Sequence, residues 1–208
     1  MVEERSLQLM TLAREQDFPH FLATGTFFNG WATAERGDVE LGLKEMHRGL
    51  DAKRATGAEI KVPYFLGVLA TAYARAGEPA EALPLLAEAL DRVGKTGERW
   101  FEAELHRRKG HVLLCLPERN EDAAEACFRQ AIAVGQEQQA KLWELRAATS
   151  LARLWRDQGK PAEACDLLAP VYGWFTEGFD LQDLKESKAL LCELEPRFGI
   201  SFRIRRRI

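Results

Sequence analysis

Composition and charge set the first limits on what this chain does. It has 208 residues, of which 46% are hydrophobic and 29% are charged, and its formal net charge is −3. A chain of this length buries a core of its own without disulfides, and so small a net charge does not mark it as a binder of nucleic acid or membranes. The acidic start has no secretion signal, and the apolar runs are too short to span a membrane. We therefore expect a protein of the cytoplasm with neither nucleic acid nor membrane as its partner.

The four cysteines, Cys115, Cys127, Cys165 and Cys192, include no C-x-x-C pair. Such a pair is the usual start of a zinc site or a redox dithiol. The spacing therefore predicts reduced, buried thiols.

Residues 2–16 form the first predicted helix, because apolar side chains recur among charged ones and the break Asp17-Phe18-Pro19 follows. The segment is typical of the second helix of a pair whose first helix is absent. We therefore expect the helical array to begin upstream of this chain. The apolar residues are Leu7, Leu9, Met10, Leu12 and Ala13.

A short motif recurs along the rest of the chain. Residues 77–82 read GEPAEA and residues 159–164 read GKPAEA, 82 positions later, while GDVELG at 37–42 precedes the first copy by 40. A fourth turn falls near 120–124. Glycine ends a helix in the left-handed conformation, and proline is tolerated in the first turn of the next helix. The motif therefore predicts antiparallel helix pairs at intervals of about 40 residues.

The helices on both sides of each turn repeat a pattern of small and bulky residues. Downstream, these residues stand at offsets of four, seven and eight, which places them on one helical face. Upstream, first helices are predicted at 27–36, 65–76, 105–116 and 142–158, each with a small residue where the backbones approach. The small residues of the first helices are Gly30, Ala70, Gly110 and Ala152; the downstream sets are Gly42, Met46, Gly49 and Leu50, then Ala82, Leu86, Ala89 and Leu90, then Ala124, Phe128, Ala131 and Ile132, then Ala164, Leu168 and Val171.

This pattern has the helix-turn-helix logic of a tetratricopeptide repeat (TPR), lengthened from about 34 residues to about 40. It predicts an all-α fold, a TPR-like superhelical solenoid that forms one continuous domain over 1–195. Its parts are a leftover helix at 1–18, four helix pairs at 19–57, 61–95, 98–139 and 141–173, and a capping helix at 181–195. A basic tail follows at 196–208, and its arginines at 203 and 205–207 are expected to be solvated.

Three phrases, at 96–107, 140–154 and 170–180, together with GWA at 30–32, resemble the C-terminal TPR region of large bacterial proteins. Those proteins join a class III adenylate cyclase, or a winged-helix regulator domain, to a signal-transduction ATPase. The resemblance covers about residues 2 to 195. It implies the sensor or scaffold end of such a protein, which binds partners or restrains the catalytic half.

The chain itself contains no motif for nucleotide chemistry. There is no G-x-x-x-x-G-K-[ST] loop, no cyclase segment with paired aspartates and no G-x-S-x-G motif. Glu102 and His106 share a helix face, but His111 lies about 140° round from His106, and His20 and His47 have no evident partners. We therefore predict no catalytic residue, no metal site and no cofactor.

A partner is expected on the first helix of each pair, which lines the concave face of such solenoids. Most of the candidate residues there are basic or aromatic, which favours an acidic partner segment, since arginine forks bind carboxylates and aromatic rings act as anchors. The alternative is that Arg146, Arg153 and Arg156 pair with Glu144, Asp157 or a neighbouring helix as ordinary surface charges. The candidates are Phe27, Trp31, Glu35, Tyr64, Thr71, Arg75, Glu104, Arg107, His111, Arg146, Thr149, Arg153 and Arg156.

Two function classes remain open. The chain is either a non-catalytic protein-interaction module, or a ligand-sensing regulatory domain that controls an attached or partner ATPase or cyclase. Homo-oligomers are compatible with both classes. An enzyme is the third reading and has no positive support in the sequence.

Overall fold

A computed structural model describes residues 1–194, and in this part of the chain the secondary structure consists of ten α-helices without a strand. The all-α prediction is therefore confirmed. The predicted tail at 196–208 and the last residue of the predicted cap lie outside the described residues. The helices are α1 Val2–Glu15, α2 Pro19–Glu35, α3 Val39–Ala55, α4 Val62–Arg75, α5 Pro79–Thr96, α6 Glu102–Cys115, α7 Glu121–Glu137, α8 Lys141–Asp157, α9 Pro161–Gly173 and α10 Gln182–Leu194.

The predicted stop-and-start turns are confirmed. Gly37, Gly77 and Gly159 have φ values of +106°, +83° and +77°, the left-handed region in which a side chain is strained. Proline opens the next helix at Pro79 and Pro161.

The turn before α7 uses a different cap. The side chain of Asn120 accepts a hydrogen bond from the Ala123 backbone N–H at 3.0 Å, as expected of an N-cap residue.

The first helix of the first pair is longer than the sequence predicted. It begins at Pro19 rather than Phe27. Its early turns pack on α1, where the position of a Cβ on Gly25 is 2.6 Å from Met10 Cγ. The pattern of small and bulky residues predicts contacts within a helix pair. It does not cover this contact of α2 with α1, so the predicted start of the helix is too late.

The contacts divide the chain into two compact units. Unit 1 comprises Met1–Phe101 with Cys115–Arg119, and unit 2 comprises Glu102–Leu114 with the chain from Asn120 onward. The predicted single domain and its four-repeat boundaries stay a prediction.

In unit 1 the paired helices meet almost backbone to backbone. A Cβ on Gly42 would lie 2.5 Å from Ala34 N, and one on Gly49 would lie 2.5 Å from Phe27 N. Bulky side chains fill the space beside these contacts. The fully buried ones include Phe27, Met46, Phe65, Leu69 and Leu86.

In unit 2 a glycine also allows two helices to approach closely, but it faces an aromatic ring instead of a backbone. A Cβ on Gly110 of α6 would lie 2.5 Å from Cε1 of Phe128 on α7, and Phe128 is fully buried. Helix α10 closes the far side, where its apolar side chains pack into the core formed by α7, α8 and α9. The buried residues of α10 are Leu184, Ser187, Leu190 and Leu194.

The cysteines partly contradict the sequence reading. None of the four forms a disulfide, but Cys115 and Cys192 are exposed and Cys127 and Cys165 are only half-buried, so the prediction of buried thiols is wrong for the first two and met only in part by the others. Each lies in the last turn of its helix, Cys115 in α6 and Cys192 in α10.

Within residues 1–194, none of the helices combines the length and the apolar character needed to cross a bilayer.

The close helix contacts predict a large difference between two glycine substitutions. Gly42→Ala forces a methyl group against the Ala34 backbone and should lower the free energy of unfolding by about 2 to 3 kcal/mol. Gly94→Ala, in α5 with open space around the Cβ position, should raise it by about 0.5 to 1 kcal/mol through helix propensity. Denaturant unfolding of both variants measures this. Equal effects of the two substitutions on the free energy of unfolding would contradict the close contact between α2 and α3 at Gly42.

Candidate partner-binding surfaces on the two units

Unit 1 carries a row of three aromatic side chains. The centroids of Phe28 and Tyr64 are 6.2 Å apart, and those of Tyr64 and Trp100 are 5.5 Å apart. Phe28 and Tyr64 are partly exposed, and Trp100 is 44% exposed. We call these three residues the aromatic row. Rings that are supported by neighbours and still reach solvent are suited to anchor a bound segment.

Tyr64 and Trp100 of the aromatic row are held by packing against Phe101 and by hydrogen bonds in the loop before α6. Tyr64 packs edge-on against Phe101 with centroids 4.8 Å apart. The Trp100 indole N–H donates to Glu98 Oε1 at 2.8 Å, and both Glu98 carboxylate oxygens accept from the Lys61 backbone N–H at 2.9 Å. The Trp100 ring is therefore held in place rather than free to rotate.

Sequence reasoning named Tyr64 but missed Phe28 and Trp100. The signal was available, because residues 28, 64 and 100 are spaced by 36 and 36 positions. Phe27 is the converse case. It was named as a candidate surface residue, but it is fully buried and packs on Phe65 with ring centroids 4.6 Å apart.

The other candidates of unit 1 lie along α2 and α4. Trp31 and Thr71 are partly exposed, and the guanidinium of Arg75 forms an ion pair with the carboxylate of Glu35. A shallow cavity of about 220 Å³ lies beside this pair. It is lined by Ala34, Glu35, Val39, Ala72, Arg75 and Ala76.

A buried lysine is a feature of unit 1 that the sequence did not reveal. Lys53 is 1% exposed, and its Nζ lies 3.4 Å from Nε2 of His20 and 5.0 Å from the centroid of Phe65. Burial lowers the pKa of Lys53, and the charge of Lys61 lowers it further against the raising effect of Glu98. Burial and the charges of Lys53 and Lys61 likewise lower the pKa of His20.

The buried ammonium predicts that an apolar replacement is tolerated. Lys53→Met keeps the packing of the stem and removes a charge that is costly to desolvate. It should therefore leave the free energy of unfolding unchanged or raise it by about 1 kcal/mol at neutral pH. Lys53→Ala, which also removes the stem, should lower it by about 2 kcal/mol. A loss in the Met variant as large as in the Ala variant would show that the contacts of the ammonium are net stabilising.

In unit 2 the candidate arginines of α8 pair with carboxylates of α10. Arg146 donates through Nε and Nη2 to the two oxygens of Asp183, both at 2.8 Å. Arg153 Nη2 donates to Glu186 at 2.8 Å, and Arg156 Nη1 donates to Glu193 at 2.7 Å. The neighbouring-helix alternative from the sequence describes these three contacts. Use of the same residues by a partner stays a prediction.

Glu104, Arg107 and His111 form a connected network. Glu104 is only 3% exposed and accepts from Nε and Nη2 of Arg107 at 2.7 Å each. Burial alone would raise the pKa of Glu104, but the hydrogen bonds and charges of Arg107 and Arg108 outweigh it and hold that pKa below its usual value. Glu104 therefore fixes the arginine and does not itself face a partner.

His111 completes the network beside Ser150. Its Nε2 lies 2.9 Å from Arg107 Nη1 and 3.0 Å from Ser150 Oγ. Burial, followed by the charge of Arg107, lowers the pKa of His111 to about 4. Because Arg107 is always a donor, the Nε2 lone pair is engaged and the ring is a weak base. The Ser–His contact is therefore not arranged to activate a nucleophile.

Arg107, Arg146 and Arg153 line a polar cavity of about 290 Å³. Thr149 belongs to its wall but is buried, and its Oγ1 lies 2.8 Å from Ser187 Oγ on α10. The threonine joins two helices and is not available to a partner as the sequence suggested. The cavity is lined by Arg107, Arg146, Thr149, Ser150, Arg153, Asp183 and Glu186.

His20 and His47 have partners that the sequence did not indicate. His47 Nε2 lies 2.7 Å from Tyr73 Oη, and His20 contacts Lys53 as described above. In the chain as far as Leu194, no three or more His, Cys, Asp and Glu side chains come together in a way that suits a metal ion.

The low pKa of His111 predicts acid sensitivity of unit 2. The folded protein binds this proton only near pH 4, whereas an unfolded histidine binds it near 6.5. The contribution of His111 to the free energy of unfolding is therefore fully present above the unfolded pKa, and it is lost as the pH falls toward 4. Between about pH 7.5 and about pH 4.5 the loss should be roughly 2 kcal/mol.

Denaturant unfolding of the wild type and of His111→Gln at both pH values isolates this contribution. The glutamine variant should lose less stability over the interval by about that amount. Parallel losses in the two proteins would mean that His111 is not the group responsible.

Comparison with known proteins is consistent with this architecture. A tetratricopeptide repeat family model matches residues 66–95, which hold most of α4 and α5. An uncharacterised protein of Rhizobium meliloti (strain 1021) is 29% identical over 151 residues, which are 73% of this chain but only 15% of the length of that protein.

Two solved structures of a Podosopora anserina protein, described as a kinesin light chain with nearly identical TPR-like repeats, share the fold. One is a single-substitution variant of the other. Both have a TM-score of 0.62 and 19% identity over 89% of this chain, and they are covered to 85% and 86% of their own length. The fold is therefore that of a TPR-like helical solenoid, and the cyclase and ATPase context stays a prediction.

Proposed function

We propose that this chain is a non-catalytic interaction module that binds a segment of a partner protein on the faces of its first helices. Tetratricopeptide repeats generally mediate contacts between proteins, and residues 66–95 match such a repeat. The observation that carries the proposal is the aromatic row of unit 1. Tyr and Trp side chains that are packed on one side and open on the other are typical of binding hot spots.

The proposal includes the rest of the predicted groove. In unit 1 these residues are Trp31, Glu35, Thr71 and Arg75, which follow the aromatic row along α2 and α4. In unit 2 they are Arg107, Arg146 and Arg153, which line the polar cavity, together with His111 and Arg156. Because these residues are mostly basic and aromatic, the partner segment is proposed to be acidic.

We further propose that the chain acts in cellular signalling. The phrases that resemble cyclase- and ATPase-linked TPR regions support a cytoplasmic sensor or regulatory end in a bacterial signalling protein. The long relative, of which the aligned part is 15%, supports a role within a larger assembly. The second candidate is a ligand-sensing domain that controls an ATPase or cyclase, and the polar cavity of unit 2 favours it. An ATPase or cyclase reading frame next to the coding sequence would support that candidate.

Selection from a displayed library of random peptides tests the interaction module. Peptides that bind the full chain should lose at least about tenfold in affinity when Tyr64→Ala or Trp100→Ala removes a ring, since a hot-spot residue contributes about 2 kcal/mol or more. The matched control is Trp174→Ala, which removes a tryptophan of unit 2 that is 59% exposed. The control should bind as the wild type does.

Two outcomes would count against the proposal. If the library yields no specific peptide, the module assignment is wrong. If the selected peptides bind all three variants equally, a binding surface exists but the aromatic row is not part of it.

A further inference from the structure

We propose that the polar cavity of unit 2 binds a small oxyanion, a carboxylate or phosphate group, between α6, α8 and α10. This inference rests on the proposed function in one respect, since it names the chemistry that this part of the groove accepts. It does not need a partner protein, because the ligand class includes small anions that diffuse freely.

Arginines from two helices converge on the cavity. Arg107 comes from α6, and Arg146 and Arg153 come from α8, one heptad apart on the same face. Guanidinium groups are the side chains best suited to hold planar or tetrahedral oxyanions. Two of the three positions are fixed, because Glu104 accepts two hydrogen bonds from Arg107 and Asp183 accepts two from Arg146, while Arg153 donates one to Glu186. A prearranged set of donors loses little entropy when a ligand arrives.

The charges around the cavity leave an excess of one positive charge. Three arginines and two carboxylates, Asp183 and Glu186, line it, which gives 3 − 2 = +1. Glu104 lies behind Arg107 and is shared with Arg108. Counting both adds one charge of each sign and leaves the balance unchanged.

Donor groups remain for a ligand after the internal pairs are made. Among the described residues, the hydrogen bonds of Arg153 use Nη2 alone, to Glu186, and those of Arg146 use Nε and Nη2, to Asp183. Nε and Nη1 of Arg153 and Nη1 of Arg146 are therefore available. Arginine offers five N–H donors in total, so an oxyanion need not displace either carboxylate.

The size and the surroundings of the cavity agree with a small polar ligand. Its volume of about 290 Å³ corresponds to about ten water molecules at roughly 30 Å³ each. His111, whose Nε2 contacts the lining residues Arg107 and Ser150, stays neutral at physiological pH, because burial and the charges of Arg107 and Arg153 all lower its pKa. The same positive field that keeps a proton from His111 favours an anion.

A bound oxyanion would also act on helix α10. It would lie against the side chains of α8 and α10 that already pair with one another, and it would shield the three arginines from mutual repulsion. Anion binding should therefore strengthen the docking of α10, which gives the site a measurable effect on stability.

Thermal unfolding of the full chain with inorganic phosphate or succinate tests the proposal, with sodium chloride at equal ionic strength as the reference. Phosphate or succinate should raise the melting temperature in a saturable manner, by about 3 °C when the anion exceeds its Kd about tenfold. Hydrogen exchange of the α8 and α10 amides should slow in parallel.

Two variants on one helix make the test specific. Arg153→Gln removes a cavity donor and should weaken the apparent anion affinity at least about tenfold. Arg156→Gln removes an arginine of α8 that also pairs with α10, through Glu193, but does not line the cavity. It should leave the affinity within about twofold of the wild type.

An equal response to chloride, or an unchanged anion response in Arg153→Gln, would overturn the proposal. A short acidic peptide serves as a further arm. If that peptide alone stabilises the protein, and does so through Arg153, the site takes carboxylates only from a partner and the free-anion form of the proposal is wrong. Loss of anion binding leaves the Trp100 test unaffected, so the two proposals fail separately.

Discussion

The close approach of paired helices is the constraint on which the rest of each unit depends. Where Gly42 faces the Ala34 backbone and Gly110 faces the Phe128 ring, there is no space for even one methyl group. This contact fixes the rotation of both helices about their axes, because only one face of each is narrow enough to meet the other. Once the rotation is fixed, the side chains on the opposite face of the first helix are committed to the surface.

In unit 1 the fixed helix rotation decides which aromatic side chains reach the surface. Adjacent residues on α2 have opposite fates, since Phe27 is fully buried and Phe28 is partly exposed. The buried ring supports the exposed one, with centroids 5.4 Å apart. A ring held in this way has little freedom to lose when a partner binds. The aromatic row is therefore a product of the core packing rather than a set of separate surface residues.

The sequence predicted the features that depend on local chemistry and recurrent spacing. The positions of glycine and proline predicted the turns at Gly77 and Gly159. Small residues such as Gly42 and Gly110 predicted the close contacts between paired helices. The contacts of Lys53 were not predictable, since a lysine on a helical pattern is normally read as solvent-exposed and its partner His20 lies 33 residues away. The pairs between α8 and α10 depend in the same way on where α10 packs, which the burial of Leu184 and Leu190 decides.

The two units offer a partner different energetics. An acidic segment that reaches the arginines of α8 finds them already paired with carboxylates of α10, so each added contact to a remaining N–H donor gains only about 0 to 1 kcal/mol. A segment that covers Tyr64 and Trp100 removes apolar ring surface from water at about 25 cal/mol per Å² and displaces no existing pair. Affinity is therefore expected to come from the aromatic row. The arginines then contribute to selectivity, because an anion must fit the N–H donors that remain beside the carboxylates of α10.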